Sequence, residues 1–201
     1  MKASDFILIF KKSIGDYHQK DDINAIAKNP FDKGSLEFLL YEKNWIDTVQ
    51  WHLEDLIRNP EIDPAEGMTL KRRIDKLNQK RTDIVEFIDA YFLNKYKDVV
   101  ANKSATINTE SPAWAIDRLP ILQLKIYHMK LESQRADASQ NHRQQCLQKL
   151  EVLLTQESDL SLAIDELIDK ISQGKKVMKV YKQMKMYNDE ETNPVLYTRK
   201  L

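Results

Sequence analysis

The chain has 201 residues and a mass of 23.6 kDa, long enough for one domain with a sizeable core. Its 31 Lys and Arg balance 31 Asp and Glu, so bulk charge draws it neither to nucleic acid nor to an anionic membrane. One cysteine, Cys146, excludes an intramolecular disulfide framework and a cysteine zinc cage, and four glycines with six prolines are too few for a sheet protein of this size.

In chain order, Ser4 is the expected cap of a first helix with Phe6, Phe10, Ile14 and Tyr17 on one side. Asp5 before its apolar patch and Lys11-Lys12 after it argue against a signal peptide, and no apolar run reaches the roughly 20 residues of a membrane span. A cytoplasmic setting is the expectation. "NPFDKGS" interrupts the pattern, and Ser35 caps a second helix to about Arg58 with Ile46, Val49, Leu53, Leu56 and Ile57 as its apolar stripe. Asp63, Pro64 and Glu66 form a cap, a first-turn proline and a capping-box acid for a third helix to about Tyr96. Ile74, Leu77, Ile84, Val85, Ile88 and Phe92 make its inner face. After the polar excursion "KDVVANKSATINTES", Ser111-Pro112 starts a fourth helix, apolar nearly all round and thus central, which Pro120 is expected to kink or split.

From about Ala138 to Gln173, Cys146, Leu150, Leu153, Glu157, Leu160, Ile164, Leu167 and Ile171 alternate steps of four and three, a coiled-coil-like seam ended by Gly174. A short basic helix over "KKVMKVYKQMKMY" and an extended tail are expected beyond it. The fold class is all-α, a single-domain bundle of five to six helices. Residues 1–34 form the first helix and its connection, 35–173 the core helices, and 175–201 the basic segment and tail.

Chemistry concentrates in "VQWHLEDLIRNP". At about 100° per residue, Asn44, Thr48, Trp51, Asp55 and Arg58 line up opposite the apolar stripe, with His52 and Glu54 on the flanks. Such a row usually faces water, but Trp51 needs cover from another segment or a ligand. In the third helix Arg81 falls inside the apolar stripe beside Asn78, and must meet a carboxylate or an anion. Asp55, Asp117 and Glu157 are the candidate partners, and Arg73 is a second fork-shaped donor. No spacing among His18, His52, His128 and His142 forms a two-histidine metal motif, so no metal site is assigned. The weaker alternative is a divalent-metal-dependent hydrolase using Asp55, Asp83 and Glu86; the paired-carboxylate pattern of an all-α nucleotide pyrophosphatase is incomplete, because Ile57 follows Glu54 by three.

"NWIDTVQWHLEDLIR", "KRRIDKLNQKRTDIVEFID", "SPAWAIDRLPILQLKIYHM" and "MKVYKQMKMYND...NPVLY" together resemble an uncharacterised bacterial family of this length, catalogued as a domain of unknown function. The resemblance implies that a site draws on the matched polar positions. These are Trp51, His52, Asp55 and Arg58; Arg73, Asn78 and Arg81; and Trp114, Asp117, Arg118 and His128. The leading expectation is a polar pocket inside the bundle for a small anionic ligand. Arg81 and Arg118 would hold the anion, Trp51 or Trp114 would cover a ring or apolar portion, and His52 would titrate near neutral pH. The alternative is a homo-oligomer formed through the 138–173 helix, whose second apolar row is Leu147, Leu154 and Ile168. No cofactor is indicated.

Overall fold

The computed structural model describes residues 1–182, 184, 186 and 189–198. The elements are α1 (Ala3–Tyr17), α2 (Leu36–Ile57), α3 (Pro64–Lys95), β1 (Thr106–Ile107), α4 (Pro112–Ile116), α5 (Arg118–Gln134), α6 (Gln140–Ser172), β2 (Lys176–Val177) and α7 (Pro194–Tyr197). The fold is an all-α bundle, and among the described residues no helix is long and apolar enough to cross a membrane.

Most helix starts follow from a side-chain oxygen accepting an otherwise orphaned first-turn N–H. Ser35 accepts from Phe38, Asp63 from Ala65 and Glu66, Ser111 from Trp114, and Ser139 from His142. Ser4 is not a cap. Helix α1 begins two residues earlier, with Lys2 at the cap position and its N–H donated to the Asp5 carboxylate at 2.8 Å.

The fourth expected helix is split, as anticipated, but the break falls at Asp117, between α4 and α5. Pro120 therefore sits in the first turn of α5, where a missing N–H costs no helical bond. At the other end of α6, Gly174 takes φ +68° and passes so close to the Val100 carbonyl that a Cβ would collide with it. This turn lets Lys176–Val177 pair in parallel with Thr106–Ile107. The first residues of the expected basic helix are thus a short strand. Its Met178, Val180, Tyr181 and Lys182 have no regular structure, and Gln183, Lys185 and Tyr187 lie outside the described residues.

Helix α2 occupies the middle, packed against α1, α3 and α5, while α6 lies along α5 and also meets α1 and α4. Phe6, Phe10 and Tyr17 of α1, Leu40, Tyr41 and Leu53 of α2, Val85, Ile88 and Phe92 of α3, and Ile116 and Leu119 form one continuous core. Along α6, Cys146, Ile164, Leu167, Ile168 and Ile171 are buried, whereas Leu147 and Leu154 are exposed.

Candidate metal centre and adjoining cavity

The polar row of α2 does not face water. Asn44 and Thr48 are fully buried and Asp47 is 2% exposed. With neighbours on three sides, the helix has no free face until its last turn, where Asp55 and Arg58 emerge. The row looks toward α5, which supplies Asp117 at its start and His128 farther along.

Three histidines meet at the far end of that seam. His18 stands just past the last residue of α1, His52 is on α2 and His128 on α5. One ring nitrogen from each lies within 4.8 Å of the others, the one such group of His, Cys, Asp and Glu among the described residues. The Nε2 atoms of His18 and His52 are 3.3 Å apart. Two nitrogens about 2.0–2.1 Å from one tetrahedral zinc ion would stand about 3.3–3.4 Å apart.

The tautomer of His18 is set by its own helix. Its Nδ1 is 2.7 Å from the Ile14 carbonyl oxygen, which can only accept, so Nδ1 carries the hydrogen and Nε2 offers a lone pair toward His52. The His128 Nε2 is buried with no hydrogen-bond partner among the described residues. Aromatic rings hold the group in place. Tyr17 stacks on His52 at 5.1 Å, Trp51 lies parallel to His128 at 5.0 Å, and Tyr127 packs on His18 at 4.3 Å.

This environment keeps two of the imidazoles neutral. Burial drives the His128 pKa down to about 4, aided by the nearby His18 and His52, while Asp55 and Asp21 pull weakly the other way. His52 is lowered for the same leading reason, with His18 next. Neutral imidazole is the form that binds a transition metal. Asp21, whose φ is +49°, places Oδ1 3.7 Å from His18 Nε2 as a nearby compensating charge.

Toward the α4 end the seam is ionic. Lys43, almost fully buried, contacts Asp47 Oδ2 at 2.7 Å and Asp117 Oδ1 at 2.5 Å, and Arg81 approaches Asp47 Oδ1 at 3.6 Å. Arg81 is therefore paired by Asp47. Of its expected partners, Asp117 is taken by Lys43, and Glu157 by the Gln123 amide and Lys11. Beside this network lies a cavity of about 350 Å³ lined by Asp47, Gln50, Trp51, Glu54, Asp55, Arg58, Arg81 and Ile121.

The eleven expected site residues thus divide. His52 and His128 join the histidine group, and Trp51 links it to the cavity. Asp55, Arg58 and Arg81 line that cavity, Asp117 stands behind it, and Asn78 accepts from the Gln50 amide at 3.0 Å. Arg73 instead binds Asn24 at 2.9 Å and the Ile23 carbonyl, Trp114 packs on the core, and Arg118 pairs with Glu110 at the surface. Asp55, Asp83 and Glu86 do not converge as a ligand group; Asp83 accepts from the neighbouring Gln79 amide. Lys43, Asp47 and Gln50 were not among the residues expected from sequence, and His18 was weighed only for a two-histidine spacing and set aside. The Lys43–Asp47 spacing of four was a visible signal for an ion pair, whereas nothing local marks His18 as a partner of His52.

No curated protein and no solved structure matches the chain. Residues 37–180 match the family described as protein of unknown function (DUF4254), a stretch that holds His52, His128 and the ionic network and begins after His18. The chain belongs to the DUF4254 family.

Proposed function

We propose that the protein binds one divalent transition metal ion through His18, His52 and His128. The observation that carries this reading is the meeting of three ring nitrogens from three separate helical elements. The Ile14 carbonyl turning the His18 lone pair inward and the partnerless His128 Nε2 add support. Imidazole nitrogen suits zinc and its neighbours in the transition series, whereas magnesium and calcium prefer oxygen. Three protein ligands leave a fourth position for water or a substrate atom, the arrangement of catalytic zinc sites. A metal there acidifies its bound water and polarises a bound carbonyl or phosphoryl oxygen, so metal-assisted hydrolysis or hydration is the matching reaction class.

Calorimetric titration of chelator-stripped protein with zinc chloride tests the proposal. The expected result is one site per chain, weakened about 100-fold or more in His52→Ala, since even partners outside the ligand set carry about 10–100-fold of metal affinity. Equal zinc affinity in wild type and a folded His52→Ala/His128→Ala protein would refute it.

A further inference from the structure

We infer that Asp21 is a displaceable fourth ligand of the metal ion held by His18, His52 and His128: its carboxylate caps the open position and yields it to an incoming substrate atom. This rests on the three-histidine reading and adds how access to the metal is controlled. The backbone of Asp21 is fixed. Its N–H and that of Lys20 both donate to the Tyr17 carbonyl at 3.1 Å, and its φ of +49° is a left-handed conformation that Asp adopts more readily than most residues. The turn comes directly after α1 and brings Oδ1 to 3.7 Å from His18 Nε2. The side chain, by contrast, is free to turn: it is 63% exposed, and His18 is its one polar partner among the described residues.

The atoms that face one another call for a cation. His18 Nε2 carries a lone pair, because Nδ1 gives its hydrogen to the Ile14 carbonyl, and an ionised carboxylate oxygen can only accept. Two such acceptors gain nothing from each other, and both gain from a metal ion between them. A nitrogen about 2.0–2.1 Å and an oxygen about 2.0–2.2 Å from one tetrahedral zinc ion stand about 3.3–3.5 Å apart. The observed 3.7 Å is a few tenths of an ångström longer. Asp21 does not belong to the group whose ligand atoms all lie within 4.8 Å of one another. Its observed position is therefore the open one, and rotation of the exposed side chain about its fixed backbone closes it. The Asp21 charge also reaches the walls of the site. Burial leads the upward pKa shifts of Tyr17 and Tyr127, and Asp21 is the next cause in both. The other nearby carboxylate, Asp55, stands 3.9 Å from Arg58 and lines the cavity beside Trp51, whereas no Lys or Arg pairs with Asp21 among the described residues.

The test is the visible spectrum of the whole chain loaded with cobalt(II), titrated with imidazole and, separately, with azide. Asp21→Asn keeps the side-chain shape and the left-handed backbone, and Asp21→Gly removes the side chain without strain. Both variants should keep one cobalt per chain and bind it about tenfold more weakly than wild type. Both should take up imidazole and azide about tenfold more tightly, the gain expected when the open form is about one-tenth of the wild-type population. Imidazole is uncharged, so its tighter binding reports the vacated position and not the loss of a negative charge. Unchanged cobalt affinity in both variants, or unchanged imidazole affinity with or without tighter azide, would overturn the assignment of Asp21. Cobalt bands in wild type alongside that result leave the histidine centre standing, whereas absence of bands in wild type overturns both.

Discussion

The histidine group and the Lys43–Asp47–Asp117–Arg81 network meet at Trp51, yet they accommodate burial in opposite ways. His52 and His128 shed protons and become neutral electron-pair donors, and the nearest carboxylate to the group, Asp21, stands 3.7 Å from the His18 ring. The acids stay beside cations, with Lys43 touching both carboxylates and Arg81 approaching one. Desolvation works on both, lowering His128 to about 4 and lifting Asp47 to about 6, with Lys43 the main force holding Asp47 down and Asp117 pushing it up. The difference teaches where each region is vulnerable. The ionic one depends on its lysine, whereas the histidine one has ring nitrogens to offer.

The largest effect should come from Lys43→Met, which leaves Asp47 and Asp117 buried against one another. We expect a loss of about 3–5 kcal/mol in urea unfolding; a loss below about 1 kcal/mol would show that the network is not held by this lysine. Next comes zinc. At about 100 times its dissociation constant the ion should stabilise wild type by about 2.7 kcal/mol. His128→Leu should abolish that gain while leaving the metal-free protein folded, and a variant still stabilised by zinc would count against the histidine ligand set.

Acid sharpens the comparison, because the two groups titrate with opposite sign. His128 binds its proton more weakly folded (about 4) than unfolded (about 6.5), so its contribution is complete above pH 6.5 and is lost as pH falls toward 4. Asp47 binds its proton more tightly folded (about 6) than unfolded (about 3.8). Its contribution is complete below pH 3.8 and is lost as pH rises toward 6. His128→Leu should therefore reduce the fall in urea midpoint between pH 6.5 and 4, and an unchanged pH profile would contradict a buried neutral ring. The smallest effect belongs to Arg81→Met. With a partly exposed side chain and a 3.6 Å pairing, it should change stability by less than about 1 kcal/mol. A loss matching that of Lys43→Met would make Arg81 part of the structural ionic core.

The bundle was legible in the sequence where the cause is local. Ser35, Asp63-Pro64 and Ser111-Pro112 start helices because a cap needs only its own turn, and the inner face of α3 follows from its period. The polar row of α2 was legible as a row, but its burial was not. Whether Asn44, Asp47 and Thr48 meet water depends on how many helices surround α2, which no window of sequence contains. The histidine site was hidden for the same reason. His18, His52 and His128 are separated by 34 and then by 76 positions, so spacing rules for metal motifs pass over them. Pro120 marked the split near it, while Asp117 took the break itself.

The measurement that bears most directly on the metal centre is the visible absorption spectrum of chelator-stripped protein titrated with cobalt(II). Three imidazole nitrogens with one further ligand enforce low coordination, so we expect intense d–d bands that saturate at one equivalent, vanish on adding zinc, and fail to develop in His18→Ala. Only the pale spectrum of hydrated octahedral cobalt, or equal bands in His18→Ala, would contradict a centre built from these three histidines.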